Sequence, residues 1–415
     1  YCQAYFDYDS KKSGGYTCSH LRFGDLPIKA PYLVGTPDFV AVHVPSYLSK
    51  YDCLRGLKDN GTFLYNSPWD VEETKNHLPN FVKKYLAVHN INMYIIDATK
   101  IADEIGLGNR TNTILQSAFF KISGVIPYDL AVEQMKKFIV KSYGKKGEDI
   151  VKMNFAAVDR GGEITKLEVP EECAKLSCKP DFVLEPLKDA PEFINKIMRP
   201  MTAQLGNDLP VSTFEEIIDG TFPAGTAAYE KRGVAVNVPE WIPENCIECN
   251  LCSFSCPHGV IRPFLLDEKE VIDAPDSVKR NLIDANIKDK DYKFTIGVSI
   301  PDCTGCGLCV EACPGKKGVK ALTMKIKSEL HDDNKDEEYK YLFNDVKEKK
   351  NAMPTNTIKG SQFVKPKFEF SGACAGCGET PYLKLLTQLF GDRMIVANAT
   401  GCSSIYGAST PSMPY

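Results

Sequence analysis

The chain has 415 residues, 43% of them hydrophobic and 25% charged, with a formal net charge of −4. This is ordinary globular composition, long enough for about two to four domains, and it lacks the basic character expected of a nucleic-acid binder. No run of about 18 apolar residues is present to cross a membrane, and no signal peptide is visible. The chain opens on Tyr1 rather than Met and reads as an internal piece of a longer protein.

In chain order, Phe39 to Val44, Thr62 to Tyr65 and Met93 to Ile96 are short β-branched or aromatic runs bounded by Pro, Gly and Asn, as buried strands are. Helical patterns intervene. One covers Asn76 to Ala87. A later one places Leu130, Val132, Met135, Phe138 and Ile139 on one face, with Lys136, Lys137 and Lys141 exposed. Strand–helix alternation predicts a mostly parallel α/β domain over residues 1–190. Residues 191–235 are rich in Pro and Gly and predict a small connecting domain. The acidic run Asp332 to Glu338, within a charged stretch over 325–350, predicts a solvated loop or linker. A new globular unit is expected from about residue 351, incomplete at 415.

Cysteine is the informative residue. Of 16, Cys2, Cys18, Cys53, Cys173 and Cys178 are scattered and read as small buried hydrophobes. The other 11 lie between Cys246 and Cys402. Cys246, Cys249, Cys252 and Cys256-Pro257 form one run, and Cys303, Cys306, Cys309 and Cys313-Pro314 repeat its spacing. This is the bacterial two-cluster ferredoxin pattern, in which the fourth cysteine of each run ligates the other cluster. One [4Fe–4S] cluster is therefore expected on Cys246, Cys249, Cys252 and Cys313, the other on Cys256, Cys303, Cys306 and Cys309. Gly305 and Gly307 suit a backbone that approaches the sulfides closely. Structural zinc uses two cysteine pairs rather than this spacing, and disulfides would not cluster in so large a chain. The stretch between the runs is expected to add a helix and a loop to the minimal ferredoxin.

A third set, Cys374-Ala-Gly-Cys377 with the remote Cys402, leaves metal ligation and free thiols in a Gly-rich turn both open. Together with Gly15 to Gly24, Gly61 to Trp69, Asn112 to Lys121 and both cysteine runs, the segments Cys374 to Tyr382 and Asn398 to Ser404 resemble pyruvate:ferredoxin (flavodoxin) oxidoreductase across essentially the whole chain. The resemblance implies a multidomain α/β plus α+β protein. Its parts would be a parallel α/β domain of coenzyme A-binding type (1–190), a small connecting domain (191–235), a 2[4Fe–4S] ferredoxin-type domain (236–350) and the start of a thiamine-diphosphate-binding domain (351–415).

It also implies oxidative decarboxylation of pyruvate with coenzyme A to acetyl-CoA and carbon dioxide. Electrons would pass through three [4Fe–4S] clusters to ferredoxin or flavodoxin. The third cluster would sit on Cys374, Cys377 and Cys402, with its fourth ligand outside the chain. Glu379 and Thr400 would lie near thiamine diphosphate and Mg²⁺, and Asn109, Arg110 and Asn112 near coenzyme A. The whole enzyme would be a homodimer in an anaerobic cytoplasm or a hydrogenosome-like organelle. The chain by itself is expected to be inactive, holding two clusters firmly and the third poorly. Three other readings stay open: an NADP-linked pyruvate oxidoreductase with a fused flavin reductase, an oxidoreductase for another 2-oxoacid, and an electron-transfer module without catalysis.

Overall fold

A computed structural model describes the chain apart from residues 10, 13, 109, 180–181, 328–334 and 408–409, and the backbone alone of 335–336. The described residues divide into two compact units: Tyr1–Phe6 with Ser19–Pro186, and Asp7–Cys18 with Leu187–Tyr415. Strands β1 (Cys2–Tyr8) and β2 (Thr17–Phe23) form a two-stranded sheet of their own.

The first unit is built on a four-stranded sheet. Strands β3 (Phe39–Val42), β4 (Thr62–Asn66), β5 (Asn92–Ile96) and β6 (Thr165–Leu167) lie side by side in that order. The first three are parallel, and β6 joins β5 antiparallel. Successive residues of a strand face opposite ways. Phe63, Tyr65, Met93 and Ile95 accordingly share one core with Leu78, Val82 and Leu86. Leu64 and Ile96 share another with Ile101, Ile114 and Leu115. Near-continuous hydrophobic runs are what a sheet covered on both faces selects.

Six helices cover this sheet: α1 (Val71–His77), α2 (Asn80–Val88), α3 (Ala98–Glu104), α4 (Asn112–Ser123), α5 (Tyr128–Tyr143) and α6 (Glu148–Arg160). The single helix expected over Asn76 to Ala87 is two. Leu78 turns to φ −61°, ψ 131°, because the ring of Pro79 disfavours helical backbone before it. The apolar face expected of α5 is also corrected. Ala131, Met135 and Ile139, one turn apart, are buried, while Leu130 and Phe138 are 44% and 67% exposed. The scattered cysteines are not buried: Cys2 is exposed, and Cys18, Cys53, Cys173 and Cys178 are half-buried.

The second unit passes through short turns and α7 (Arg199–Thr202) to β7 (Asn237–Trp241) and α8 (Leu251–Ser255). Between the cysteine runs come β8 (Ile261–Leu266), α9 (Glu268–Asp273), α10 (Asp276–Lys279), β9 (Ile283–Asp284) and β10 (Lys293–Val298). That stretch is more than the expected helix and loop, for its strands close an antiparallel sheet in the order β8-β10-β9. Then follow α11 (Leu308–Glu311) and β11 (Leu322–Ile326), which pairs antiparallel with β7. Val238, Ile261, Phe294, Ile296 and Leu322 from the two sheets share one core with Cys252, Cys256, Cys303 and Cys309.

The acidic run is a structured segment where it is described; residues 332–334 of it lie outside the described residues. α12 (Lys335–Lys340) carries Glu338, 7% exposed, and leads to Leu342, which is fully buried. The Tyr339 hydroxyl accepts a hydrogen bond from the Lys231 ammonium at 2.7 Å. The chain continues through α13 (Ile358–Ser361), α14 (Thr380–Phe390) and α15 (Cys402–Gly407). The expected boundaries at 235–236 and 350–351 both fall inside this one unit. On α14, Tyr382, Leu386 and Phe390 leave an apolar stripe exposed.

Phe63→Ala is expected to destabilise the first unit by about 3–5 kcal/mol, because the side chain is wholly buried between helix and sheet. Phe138→Ala should stay within about 0.5 kcal/mol. Hydrogen exchange of the β4 and α5 amides in urea checks both, and comparable losses would refute the buried face assigned to α5.

Candidate metal centres

The two cysteine runs are one local structure made twice. A strand, β7 or β10, gives way to a 3₁₀ turn, Pro243–Asn245 or Ile300–Asp302, which delivers the first cysteine. A loop with two left-handed residues follows. In the second run these are Gly305 and Gly307, at φ 70° and 77°. In the first they are Glu248 and Asn250, at φ 56° and 60°. A short helix, α8 or α11, then carries the third cysteine.

Left-handed backbone is unfavourable for a side chain with Cβ by about 1–2 kcal/mol, so the first run needs compensation. The Glu248 carboxylate, in a residue only 6% exposed, accepts the Asn286 N–H at 3.1 and 2.9 Å and the Lys359 ammonium at 3.2 Å. Asn250 Nδ2 donates to the Lys359 carbonyl at 2.9 Å. Both left-handed residues are thereby anchored at α13. In the second run, a Cβ on Gly305 would come within 2.9 Å of the Asn237 carbonyl oxygen, whereas one on Gly307 would meet nothing within 4 Å. Close approach explains Gly305, and the backbone angle alone explains Gly307.

The structure brings the sulfurs together across the runs. A cavity is lined by Cys246, Cys249 and Cys252 and, from the other run, Cys313, with Trp241 and Ile296 in its wall. The Glu248 N–H points to the Cys246 sulfur at 3.4 Å, and the Ala321 N–H to the Cys313 sulfur at 3.3 Å. The buried Trp241 Nε1 lies beside the Cys246 sulfur.

The remaining four gather likewise. Burial pushes the Cys303 and Cys309 thiols up to about 12, and both also feel Cys256 and Cys306. The Gly305 N–H points to the Cys303 sulfur at 3.4 Å. Cys252, raised chiefly by complete burial, also feels Cys309, so the two groups adjoin.

These surroundings fit cubanes. Among the described residues no three Cys, His, Asp or Glu converge as ligands of a single ion. A mononuclear zinc would draw four sulfurs to about 2.3 Å from one point. A cubane takes one thiolate per iron, so its ligands line a cavity, and N–H groups directed at sulfur are what tune such a cluster. With no cation present, burial favours the neutral thiol. Cluster binding therefore releases protons, and loading weakens as pH falls.

The third set stands against the second group. A Cβ built on Gly376, between Cys374 and Cys377, would lie 3.7 Å from the Cys306 Cβ. His258, just past Cys256-Pro257, ties the loop down. Its carbonyl accepts the Phe370 N–H at 2.8 Å, and its Nδ1 lies 3.2 Å from the Ser371 carbonyl. Burial, with Arg232 nearby, lowers this imidazole to about 4, so it is neutral. Cys377 packs with Phe368 and Tyr406 of α15, while Cys374 and Cys402, the first residue of α15, are exposed.

Glu379 is the exposed N-cap residue of α14, close enough to Tyr406 and Tyr415 to add to the rise that burial causes in their hydroxyls. Thr400 is exposed just before α15. These two do not by themselves enclose a thiamine diphosphate. Of the coenzyme A candidates, Asn109 lies outside the described residues. Arg110 is exposed before α4, and Asn112 is that helix's first residue. Sequence reasoning missed Trp241, Glu248, His258 and the buried Lys384. Only His258 had a visible signal, its place directly after a Cys-Pro ligand.

Residues 1–164 match the family described as pyruvate ferredoxin/flavodoxin oxidoreductase, 181–235 a domain of unknown function, and 239–314 a 4Fe–4S dicluster domain. Over its whole length the chain is 52% identical to the pyruvate:ferredoxin oxidoreductase of Moorella thermoacetica, covering 35% of that protein. It is 51% identical to the pyruvate-flavodoxin oxidoreductase of Enterobacter agglomerans, covering 34%. To the pyruvate dehydrogenase [NADP(+)] of Cryptosporidium parvum it is 44% identical, covering 22%. The chain thus spans about a third or less of the length of these relatives. A solved structure, the pyruvate oxidoreductase subunit PORC from Thermotoga maritima, matches 40% of this chain and 82% of its own at 25% identity, with a TM-score of 0.32.

Because Asn250 occupies the place of Gly307, Gly307→Asn should keep wild-type iron content, while Gly307→Val should lose about 1–2 kcal/mol and bind less iron. Glu248→Gln should destabilise by about 1.5–3 kcal/mol, since the Lys359 charge loses its partner. Denaturation of the loaded protein with iron assay checks both. A Gly307→Asn chain as poor in iron as Gly307→Val would show that more than backbone angle is at stake.

Proposed function

We infer that this chain, a homologue of pyruvate:ferredoxin and pyruvate-flavodoxin oxidoreductases along its whole length, carries the electron-relaying segment of an enzyme that oxidatively decarboxylates pyruvate with coenzyme A. The observation that carries the reading is the cavity shared by three cysteines of one run and the fourth of the other. On this reading Cys246, Cys249, Cys252 and Cys313 hold one [4Fe–4S] cluster, and Cys256, Cys303, Cys306 and Cys309 hold a second. Cys374, Cys377 and Cys402 contribute to a third.

The chain's work is spacing and shielding. The Cys374–Cys377 loop rests on Cys306, and Cys309 adjoins Cys252, so electrons entering at the third set have a continuous line of carriers. The apolar core keeps water from Cys252, Cys256, Cys303 and Cys309. Thiamine diphosphate with Mg²⁺ would supply the electron sink for decarboxylation; Glu379 and Thr400 stay candidates for its vicinity. The loop before α4, with Gly106 and Gly108 left-handed and Arg110 exposed, is the candidate contact for a phosphate of coenzyme A.

The acceptor proposed is ferredoxin or flavodoxin, after the names of the more similar relatives; a fused flavin reductase serving NADP is the second reading, favoured by the Cryptosporidium relative at lower identity. No helix among the described residues is long and apolar enough to cross a membrane. A homodimeric whole enzyme in an anaerobic cytoplasm or a hydrogenosome-like organelle is proposed with this reading.

Anaerobic reconstitution should give about eight iron and eight sulfide per chain, with interacting EPR signals after dithionite reduction. Cys313→Ser should abolish the cluster of the first run and leave that of the second. Loss of the second run's cluster instead would replace the crossed assignment with an uncrossed one, and zinc in place of iron would refute the reading.

A further inference from the structure

Lys384 is a lysine at the wrong depth for an ordinary surface helix. It lies on α14, is 1% exposed, and forms no salt bridge among the described residues. Its ammonium donates to the carbonyl of Ser253 and, at 3.4 Å, to that of Phe254. These two carbonyls belong to α8, between Cys252 and Cys256, where the chain leaves one proposed cluster and reaches the other. Its charged neighbours are Cys256, Cys252 and Arg262. Arg262 is buried as well, but it is neutralised by Glu369.

A buried ammonium held only by carbonyls is expensive unless a negative charge lies close by. Four thiolates around a [4Fe–4S] core supply one, and reduction adds another. The field of a buried cation is screened much less there than at the surface.

We propose that Lys384 is the fixed counter-charge of the two ferredoxin-type clusters and raises their reduction potential, that of the cluster on Cys256 most. This rests on the cluster reading above. The step concerned is uptake of one electron, from dithionite through mediators, at a pH below the value of about 8 to which burial lowers Lys384, so that the ammonium is already protonated, no proton is transferred and no bond is made or broken. The cluster becomes one unit more negative beside a cation that does not move.

The test is an EPR-monitored redox titration of the cluster-loaded full chain, with iron and sulfide counted in the same samples. Lys384→Gln, which keeps a donor but no charge, and Lys384→Met, which keeps neither, should both lower the midpoint. At the wild-type midpoint the ratio of reduced to oxidised cluster should fall at least tenfold, equivalent to about 59 mV for one electron. An unchanged midpoint in either variant with its iron intact overturns the proposal. Glu369→Gln leaves Arg262 unneutralised near Cys256 and should move the midpoint up. It provides the decision if the Lys384 variants lose their iron, because an unmoved or lowered midpoint there overturns the proposal too. Failure of the cluster reading is distinguishable: a wild-type chain without iron shows it before any potential is measured, and removes both.

Discussion

On the cluster reading proposed above, eight sulfurs stand apart in two groups of four around one apolar core that buries Cys252, Cys256, Cys303 and Cys309, and that constraint accounts for how the second unit is organised. The cysteines cannot simply be packed as small hydrophobes, because a cubane needs each of them deprotonated and turned to its own corner. The two antiparallel sheets supply the walls: Trp241 and Leu322 from one, Ile296 from the other, face the cavity of the first group. N–H groups of Glu248, Gly305 and Ala321 point at sulfur rather than at carbonyl oxygen. Such donors favour the charged thiolate and partly offset its desolvation.

The same constraint explains the loops. Three thiolates two residues apart can wrap a cubane only if the backbone between them turns left-handed twice. The two runs meet this demand with different chemistry. The second uses glycine at both positions. The first uses Glu248 and Asn250, and recovers the conformational loss by tying both side chains to α13 and the turn at Asn286. A buried carboxylate that shares one backbone N–H between its two oxygens and also accepts an ammonium is well satisfied. The first loop is thereby coupled to a segment a hundred residues downstream, which the second loop is not. Lys384 adds a further tie between α14 and the first run.

The third cysteine set occupies a different setting. Its loop is fastened at one end by His258 and Arg232, both bonded to the Ser371 carbonyl, and rests on the Cys306 loop. Yet Cys374 and Cys402 are exposed, and the core beneath, Phe368, Ala373 and Tyr406, is small. Four of the ferredoxin-type cysteines, Cys252, Cys256, Cys303 and Cys309, are buried, whereas none of these three is, and only Cys377 of the three joins an apolar cluster. The burial that raises the Cys246, Cys252, Cys303 and Cys309 thiols is lacking at Cys374 and Cys402, which are exposed.

Local spacing determined the metal chemistry. The repeated cysteine intervals, with proline after each fourth, point to the two cubanes proposed, because three ligands of each lie within the reach of one short loop. Short apolar runs determined the parallel strands, because a sheet covered on both faces selects near-continuous hydrophobic runs. What depended on distant partners was not legible. The buried stripe of α5 was decided by which neighbour it packs on, and Phe138 stayed outside. The acidic stretch folded where Tyr339 and Leu342 found partners. The sheet between the runs arose from strands that pair only in three dimensions. Glu248 and Lys384 look like surface residues in the sequence, and only the tertiary structure, by burying their charges against partners over a hundred residues away, made them part of the centre.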